Sequence, residues 1–369
     1  MFYAPAIVSL GATVNTTNST RTITKVGFYK GAILLGESTL PPYGTAWSNV
    51  AAGAYSITAI LTDNTGATIT SPPVTVTVNP VTFSIDASIN NSIVNDDHLL
   101  VTGSFTAPPN TGVSVNGVLA TLTRGAGDTY TYYANNIPLT LGNNIITARL
   151  VSQDGQTQTT SVAVTSTGSP GFKITADRVF DVQPNGLIEF EYQNTSGLAA
   201  SSIQIDSNDD GTVDSTLPVT SKSLLLTMDF SNYSNAKVWP VSFKVVNAEK
   251  PPKVLYTTKQ IIIISTETQQ DAAMKPVITN LFSRISQGNT TATLNNFTGQ
   301  AGTKYQSMLS VLKPYAANIA SELTNAEKMS TGNGDAATYT ILRAENGVNK
   351  IYIVNMVKGS DGVWRIDSM

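Results

Sequence analysis

Short runs of alternating apolar and polar residues recur along this 369-residue chain as far as about position 265, and they constrain the fold more than any other feature. Ala54-Tyr55-Ser56-Ile57-Thr58-Ala59-Ile60, Val74-Thr75-Val76-Thr77-Val78 and Leu187-Ile188-Glu189-Phe190-Glu191-Tyr192 are examples. A period of two sends successive side chains to opposite faces, so each run reads as a strand with one face in a core and one in water. Turn signals separate the runs at Lys30-Gly31, Pro41-Pro42-Tyr43-Gly44, Ala52-Gly53, Asp63-Asn64-Thr65-Gly66 and Asn116-Gly117. Many short strands with frequent turns predict β-sandwiches. At about 100–150 residues per domain, the length predicts three or four of them.

Composition removes several functions. Lys and Arg number 22 against 25 Asp and Glu, a net charge of −3, which offers no basic footprint for nucleic acid. No cysteine is present, so disulfides, thiolate metal sites and cysteine nucleophiles are excluded, and a single histidine excludes multi-histidine metal centres. No apolar run approaches the roughly 18 residues of a membrane span. Only 13% of residues are charged, so the wet surface must come from Thr, Ser, Asn and Gln, as on secreted β-modules. The start Met1-Phe2-Tyr3-Ala4-Pro5 lacks a signal peptide's basic and apolar regions. Either the chain is intracellular or it is a segment of a longer exported chain; the expectation is the second, secreted or at the cell surface.

Residues 1–80 carry Val26 to Gly36, Tyr43 to Trp47, Gly53 to Gly66 and Val74 to Val78. These match the "VxFYxxGxxLG", aromatic-x-Trp, "GxYxxTAxxTDxxG" and "VTVTV" hallmarks that resemble bacterial immunoglobulin-like modules. Residues 81–168 read V-x-G at Val101-Thr102-Gly103, V-x-V-N-G at Val113 to Gly117, then Leu139 to Ala148 and Asp154-Gly155. That order resembles a second immunoglobulin-like type found beside carbohydrate-active and surface proteins. Up to residue 169 there are five basic and seven acidic residues, too sparse for an electrostatically driven partner site. Residues 169–266 follow a Gly168-Ser169-Pro170-Gly171 linker and end in Ile261 to Ile264, which reads as a buried strand. Ile203 to Asp214 resembles the "W-D-F-D-G-D-G-T-V-D" signature of PKD-type sandwiches, with Gln204 near the place of the usual Trp.

Within that signature lies the candidate metal site. Asp206, Asn208, Asp210, Thr212 and Asp214 follow a D-x-N-x-D-G pattern, in which alternate side-chain oxygens can face a Ca²⁺ ion and Gly211 permits the turn. The twelfth position is Leu217, so the bidentate Glu of an EF-hand is missing, and the flanks read as strands. The competing reading is a polar turn whose Asp and Asn side chains serve its own backbone.

Residues 267–369 change character. Met274, Val277, Ile278, Leu281, Phe282 and Ile285 recur at helical spacing, with a stop at Gly288-Asn289. A short helix around Leu294 and Phe297 follows, then a longer one carrying Tyr305, Met308, Leu309, Leu312, Tyr315, Ile319 and Leu323, broken near Pro314. Three strands come next, Ala337 to Leu342, Lys350 to Met356 and Val363 to Asp367, with hairpin turns at Asn346-Gly347 and Asp361-Gly362. The ending Asp361-Gly362-Val363-Trp364-Arg365-Ile366 resembles small α+β domains of the cystatin-like, nuclear-transport-factor-like group, as found in exported bacterial proteins upstream of RHS repeats. Some relatives of that fold are enzymes using Asp–His or Tyr–Asp pairs, but this stretch has no His.

The remaining candidates read as structure. His98, after Asp96-Asp97, is expected in a solvent-facing loop, and neither a G-x-S-x-G elbow nor a phosphate-cradling G-x-x-x-x-G-K-[ST] loop occurs. Trp47, Trp239 and Trp364 fall in different stretches and are expected as core anchors instead of a sugar-stacking platform. The expectation is a mainly β, non-enzymatic, elongated stalk of tandem immunoglobulin-like sandwiches with the α+β domain at its end. Its partners would be the rest of a longer parent chain or another cell-surface protein. An adhesin or carbohydrate-binding module contacting a glycan is the alternative, and a hydrolase accessory region the third class.

Overall fold

The computed structural model describes residues 2–15, 20–182, 186–230, 237–286, 290–316, 327–331, 335–345 and 348–369. Gly288-Asn289, Ile319, Leu323 and Asn346-Gly347, to which the sequence assigned helix stops, helix positions and a turn, lie outside them. The buried apolar side chains gather into four separate cores, each drawn from one stretch of chain and here called modules 1 to 4.

Module 1 pairs strands Phe2–Tyr3, Val74–Asn79, Gly53–Asp63, Ile23–Lys30 and Ile33–Ser38 in one sheet, with Thr68–Thr70 added to Gly53–Asp63. The antiparallel pair Ala6–Ala12 and Tyr43–Val50 forms a second. Val8, Val26, Phe28 and Val78 fill the core. The turn after Gly53–Asp63 is held by Asp63, whose Oδ1 accepts from Thr65 Oγ1 (2.7 Å), Thr65 N (2.8 Å) and Ala67 N (3.0 Å), while Arg21 reaches Oδ2 at 2.6 Å. The Thr65 hydroxyl bond first, then these amides and Arg21, lower the carboxyl to about 2 against the opposing effect of burial. The unfolded chain therefore takes up this proton first on acidification. The expected result is that Asp63 stabilises module 1 above about pH 4 and that this contribution fades as pH falls through about 2. Acid titration of the wild type against Asp63→Asn checks it: the variant should lose that part of the slope.

Module 2 is a sandwich. One sheet runs Ser92–Val94, Thr157–Ser166, Gly142–Val151, Gly112–Val115, Val118–Leu119, and the other Thr121–Arg124, Thr129–Pro138, His98–Thr106, Thr82–Ile85. Asn116 and Gly117, both at positive φ (45° and 84°), make the two-residue hairpin turn that Asn-Gly prescribes. Module 3 stacks Phe172–Ala176, Leu187–Asn194 and Ser223–Asp229 against a second sheet of Phe180–Val182, Val254–Ser265, Lys237–Val246, Ser202–Asp206 and Ser215–Pro218. Leu187–Asn194 alternates without exception: Ile188, Phe190 and Tyr192 are buried, and the residues between them are exposed.

In module 4 the helix Glu267–Ser286 lays Met274, Val277, Ile278, Leu281, Phe282 and Ile285 into a core under the sheet Glu327–Thr331, Ala336–Glu345, Val348–Lys358, Trp364–Ser368. Three sequence expectations are corrected here. The longer helix, expected to break near Pro314, also breaks earlier: α-helical turns at Gly299–Tyr305 and Leu309–Leu312 are separated by a 3₁₀ turn at Gln306–Met308, and Pro314 lies in a second 3₁₀ turn, Lys313–Tyr315. Phe297 lies outside these helices and bridges to Ile366. A fourth strand, Glu327–Thr331, joins the sheet; Met329 is its one apolar residue, so no alternation announced it.

Candidate functional site

The acidic loop connects Ser202–Asp206 to Ser215–Pro218 at one end of module 3. Asp206 is buried (5% exposed), and its carboxylate accepts from Gly211 N (2.8 Å), Asp210 N (3.2 Å) and Asn208 N (3.4 Å). Asn208 Oδ1 accepts from Asp210 N, and Asp210 Oδ1 from Thr212 N at 2.8 Å. That amide bond is the largest cause holding the Asp210 carboxyl below its ordinary value. Asp214 Oδ2 accepts from Ser207 N (2.8 Å) and Ser207 Oγ (2.5 Å). Asp209 leaves the loop at positive φ (56°) and binds Ser242 Oγ and the Lys259 ammonium. Burial opposes ionisation of Asp209, and those two bonds outweigh it and lower the carboxyl.

Each candidate ligand except Thr212, which contributes its N–H, thus spends side-chain oxygens on loop donors. The three candidate aspartates, Asp206, Asp210 and Asp214, are also not among the described groups whose ligand atoms come within 4.8 Å of one another. As placed, the loop fits a self-bonded turn better than a cation cage. Millimolar calcium is expected to leave the melting temperature of the chain unchanged. Asp206→Ala, which strands buried amides, is expected to destabilise module 3 by about 1–3 kcal/mol. A calcium-induced rise in melting temperature that Asp206→Ala abolishes would show that the oxygens re-aim at an ion.

Among the described residues, the ligand atoms that do lie within 4.8 Å of each other belong to Asp96, Asp97 and His98. His98 opens strand His98–Thr106 and is half-buried, not solvent-facing as expected, with Nδ1 2.5 Å from Asp97 Oδ1. Asp96 Oδ2 accepts from Tyr256 Oη of module 3 at 2.9 Å. Burial, the largest influence, pushes the Asp96 carboxyl up and the Tyr256 phenol up with it. The position next to the Gly168–Gly171 linker explains this cluster: it ties two modules.

The tryptophans are core anchors. Trp239 and Trp364 are buried, and Trp47 packs on the module 1 core, edge-on to Tyr55 at 5.0 Å under the Lys30 ammonium. In module 4, Asp361 pairs bidentately with Arg365 (2.9 and 2.7 Å), and Asp367 accepts from Thr298. Sequence reasoning missed the pairing of Tyr339 with Asp271 at 2.7 Å. Tyr339 is fully buried and Asp271 partly so, and their bond fastens the helix Glu267–Ser286 to the sheet. An open groove of about 290 Å³ crosses module 2 along Thr82, Ser104, Thr106, Gly125, Thr129 and Thr131.

No family model matches the chain, and no curated protein is similar to it. Among solved structures it is similar to fibronectin(III)-like modules of CbhA from Clostridium thermocellum, at 32% identity over 21% of this chain and 82% of that one (TM-score 0.20). It is also similar to SGBP-B of the Bacteroides ovatus mixed-linkage glucan utilization locus, solved with a mixed-linkage heptasaccharide, at 16% identity over 72% of this chain and 65% of that one (TM-score 0.17). The Yersinia pseudotuberculosis adhesin InvE is matched at 10% identity over 50% of this chain and 58% of that one (TM-score 0.21). Overlaps this loose carry no argument about a site. The assignment to tandem immunoglobulin-like β-sandwiches rests on the chain's own sheets, registers and cores. Among the described residues, no helix is long and apolar enough to cross a membrane.

Proposed function

We propose that this chain is a non-enzymatic modular scaffold from an exported bacterial cell-surface protein, of the kind that precedes RHS repeats, and that it holds other parts of a longer chain at a set distance and orientation. One observation carries the reading: the polar groups best suited to chemistry serve turns and seams. His98 and Asp96 sit at a module junction, the loop aspartates bond their own backbone, and Asp361 and Asp271 fasten module 4. The weakly charged surface supports a soluble spacer without a strong field to draw charged partners.

The second reading, a carbohydrate-binding module, has one observation in its favour. The groove of module 2 is lined by Thr82, Ser104, Thr106, Thr129 and Thr131 together with Phe105 and Tyr130. A glycan array with the full chain separates the two. The scaffold reading expects no signal above background, and a specific hit lost in Thr131→Val would replace it with the carbohydrate reading.

A further inference from the structure

In a sandwich strand with one wet face, alternate residues should be exposed. Ile261, Ile262, Ile263 and Ile264 are instead all buried, from 0% to 6% exposed, and so is Gln260 at 2%. Ile262 and Ile264 belong to the module 3 core, whereas Ile261 and Ile263 do not. The outer face is therefore covered too, and a second body meets the strand at its edge. Asn135 of module 2, itself buried, donates from Nδ2 to Ile261 O at 2.9 Å and accepts at Oδ1 from Ile261 N at 2.9 Å. Asn136 and Gln260 exchange amide bonds beside it, and Tyr256 reaches Asp96.

The same device recurs at a second seam. Asn110 of module 2 donates from Nδ2 to Trp364 O at 2.9 Å and accepts at Oδ1 from Trp364 N at 2.7 Å. In both places a side-chain amide takes the position a neighbouring strand's backbone would occupy. Backbone contact completes the second seam. A Cβ on Gly112 would lie 2.0 Å from Asp361 O and 2.6 Å from Gly362 Cα, so only glycine fits there. Around this contact Arg284 pairs with Asp154 at 2.8 Å, Asn295 donates to Asp154 O at 3.0 Å, and Gln153 bonds Asn296. Module 4 also meets module 3, where the Lys358 ammonium lies 5.7 Å from the centre of the Phe180 ring and 5.1 Å from that of Trp364.

We propose that module 2 is a hub that captures module 3 through Asn135 and module 4 through Asn110 and Gly112, so that residues from about 81 to 369 move as one rigid three-module body. The C-terminal module is folded back on module 2 instead of standing at the tip of a rod. Docked, each of these amides has its partner across the seam, so the arrangement satisfies the polar groups it buries. Bending is then left to the junction around Asn79 to Thr82, where module 1 meets module 2 through Tyr3 Oη donating to Asp128 at 3.0 Å.

The cysteine-free chain accepts spin labels without background. Ser161→Cys in module 2 and Gln306→Cys in module 4 are both exposed. Pulsed dipolar spectroscopy on the doubly labelled full chain should give one narrow distance distribution. Asn110→Gly, which removes the amide and suits that residue's positive φ of 59°, combined with Gly112→Val, should abolish the narrow peak. In a variant whose other tryptophans are Phe, Trp239 in module 3 should still report one cooperative unfolding transition, which excludes global misfolding. A broad distribution in the parent, or a narrow one surviving both substitutions, overturns the proposal.

Discussion

Gly103→Ala is expected to destabilise module 2 by about 3 kcal/mol, close to the upper end of what overpacking a core costs. Gly103 lies in the middle strand of a three-strand contact, paired with Tyr132 on one side and Ile85 on the other. The Tyr132 side chain, fully buried, covers it and donates its hydroxyl to Ser84 O at 3.1 Å. A Cβ at this position would fall 2.2 Å from Ser84 O and 2.4 Å from Tyr132 Oη. The first atom is ladder backbone and cannot retreat without shifting a strand. The second is the tip of a ring already fixed by its hydrogen bond. Room for the methyl therefore comes only from breaking that bond or displacing strand Thr82–Ile85, and either exposes the core around Phe105 and Val101. For a module of this size the melting transition should fall by roughly 15 °C. Scanning calorimetry checks it, with Ser104→Ala as the control, since Ser104 points away from that core and its loss should move the transition by little. A Gly103→Ala chain that melts with the wild type would show that the Tyr132 ring is free to move.

The same glycine marks how far the residues alone lead. The V-x-G at Val101-Thr102-Gly103 signals a strand, but that its glycine is covered by a tyrosine 29 positions later is set by register, which local pattern does not encode. Alternation located strands such as Leu187–Asn194 because each buries one face in its own core. The helix at Glu267–Ser286 was legible for the same reason at a period of 3.6. Glu327–Thr331 was not, because its pairing comes from the neighbouring strand and not from its own polarity. The acidic loop illustrates a different limit. The D-x-N-x-D-G spacing is shared by calcium loops and self-bonded turns, and only the directions of the amides around Asp206 separate them. The seams were nearly invisible. Asn135 and Asn110 look like ordinary strand and turn asparagines, yet the unbroken Ile261 to Ile264 run was a readable sign that something covers both faces of that strand.

Phe190→Ala should destabilise module 3 by about 3–5 kcal/mol. Phe190 is fully buried, its ring 5.0 Å from that of Phe243 in the opposite sheet, so its removal opens a cavity between the two layers where neither can collapse independently. Glu191, next to it on the wet face, is the control and should change stability by less than about 0.5 kcal/mol when cut to Ala. The distribution of tryptophans makes the result readable module by module: Trp47 reports on module 1, Trp239 on module 3 and Trp364 on module 4. In single-tryptophan variants of the full chain under urea, the Trp239 midpoint should drop with Phe190→Ala while the Trp47 midpoint stays in place. If Asn135 and Asn110 couple the modules as their geometry indicates, the Trp364 midpoint should fall as well, although no residue of module 4 has been altered. A fall confined to Trp239 would mean that the seams hold folded modules together without sharing their stability. A Trp239 midpoint shifted by less than about 1 kcal/mol would mean that the Phe190–Phe243 layer repacks around the loss.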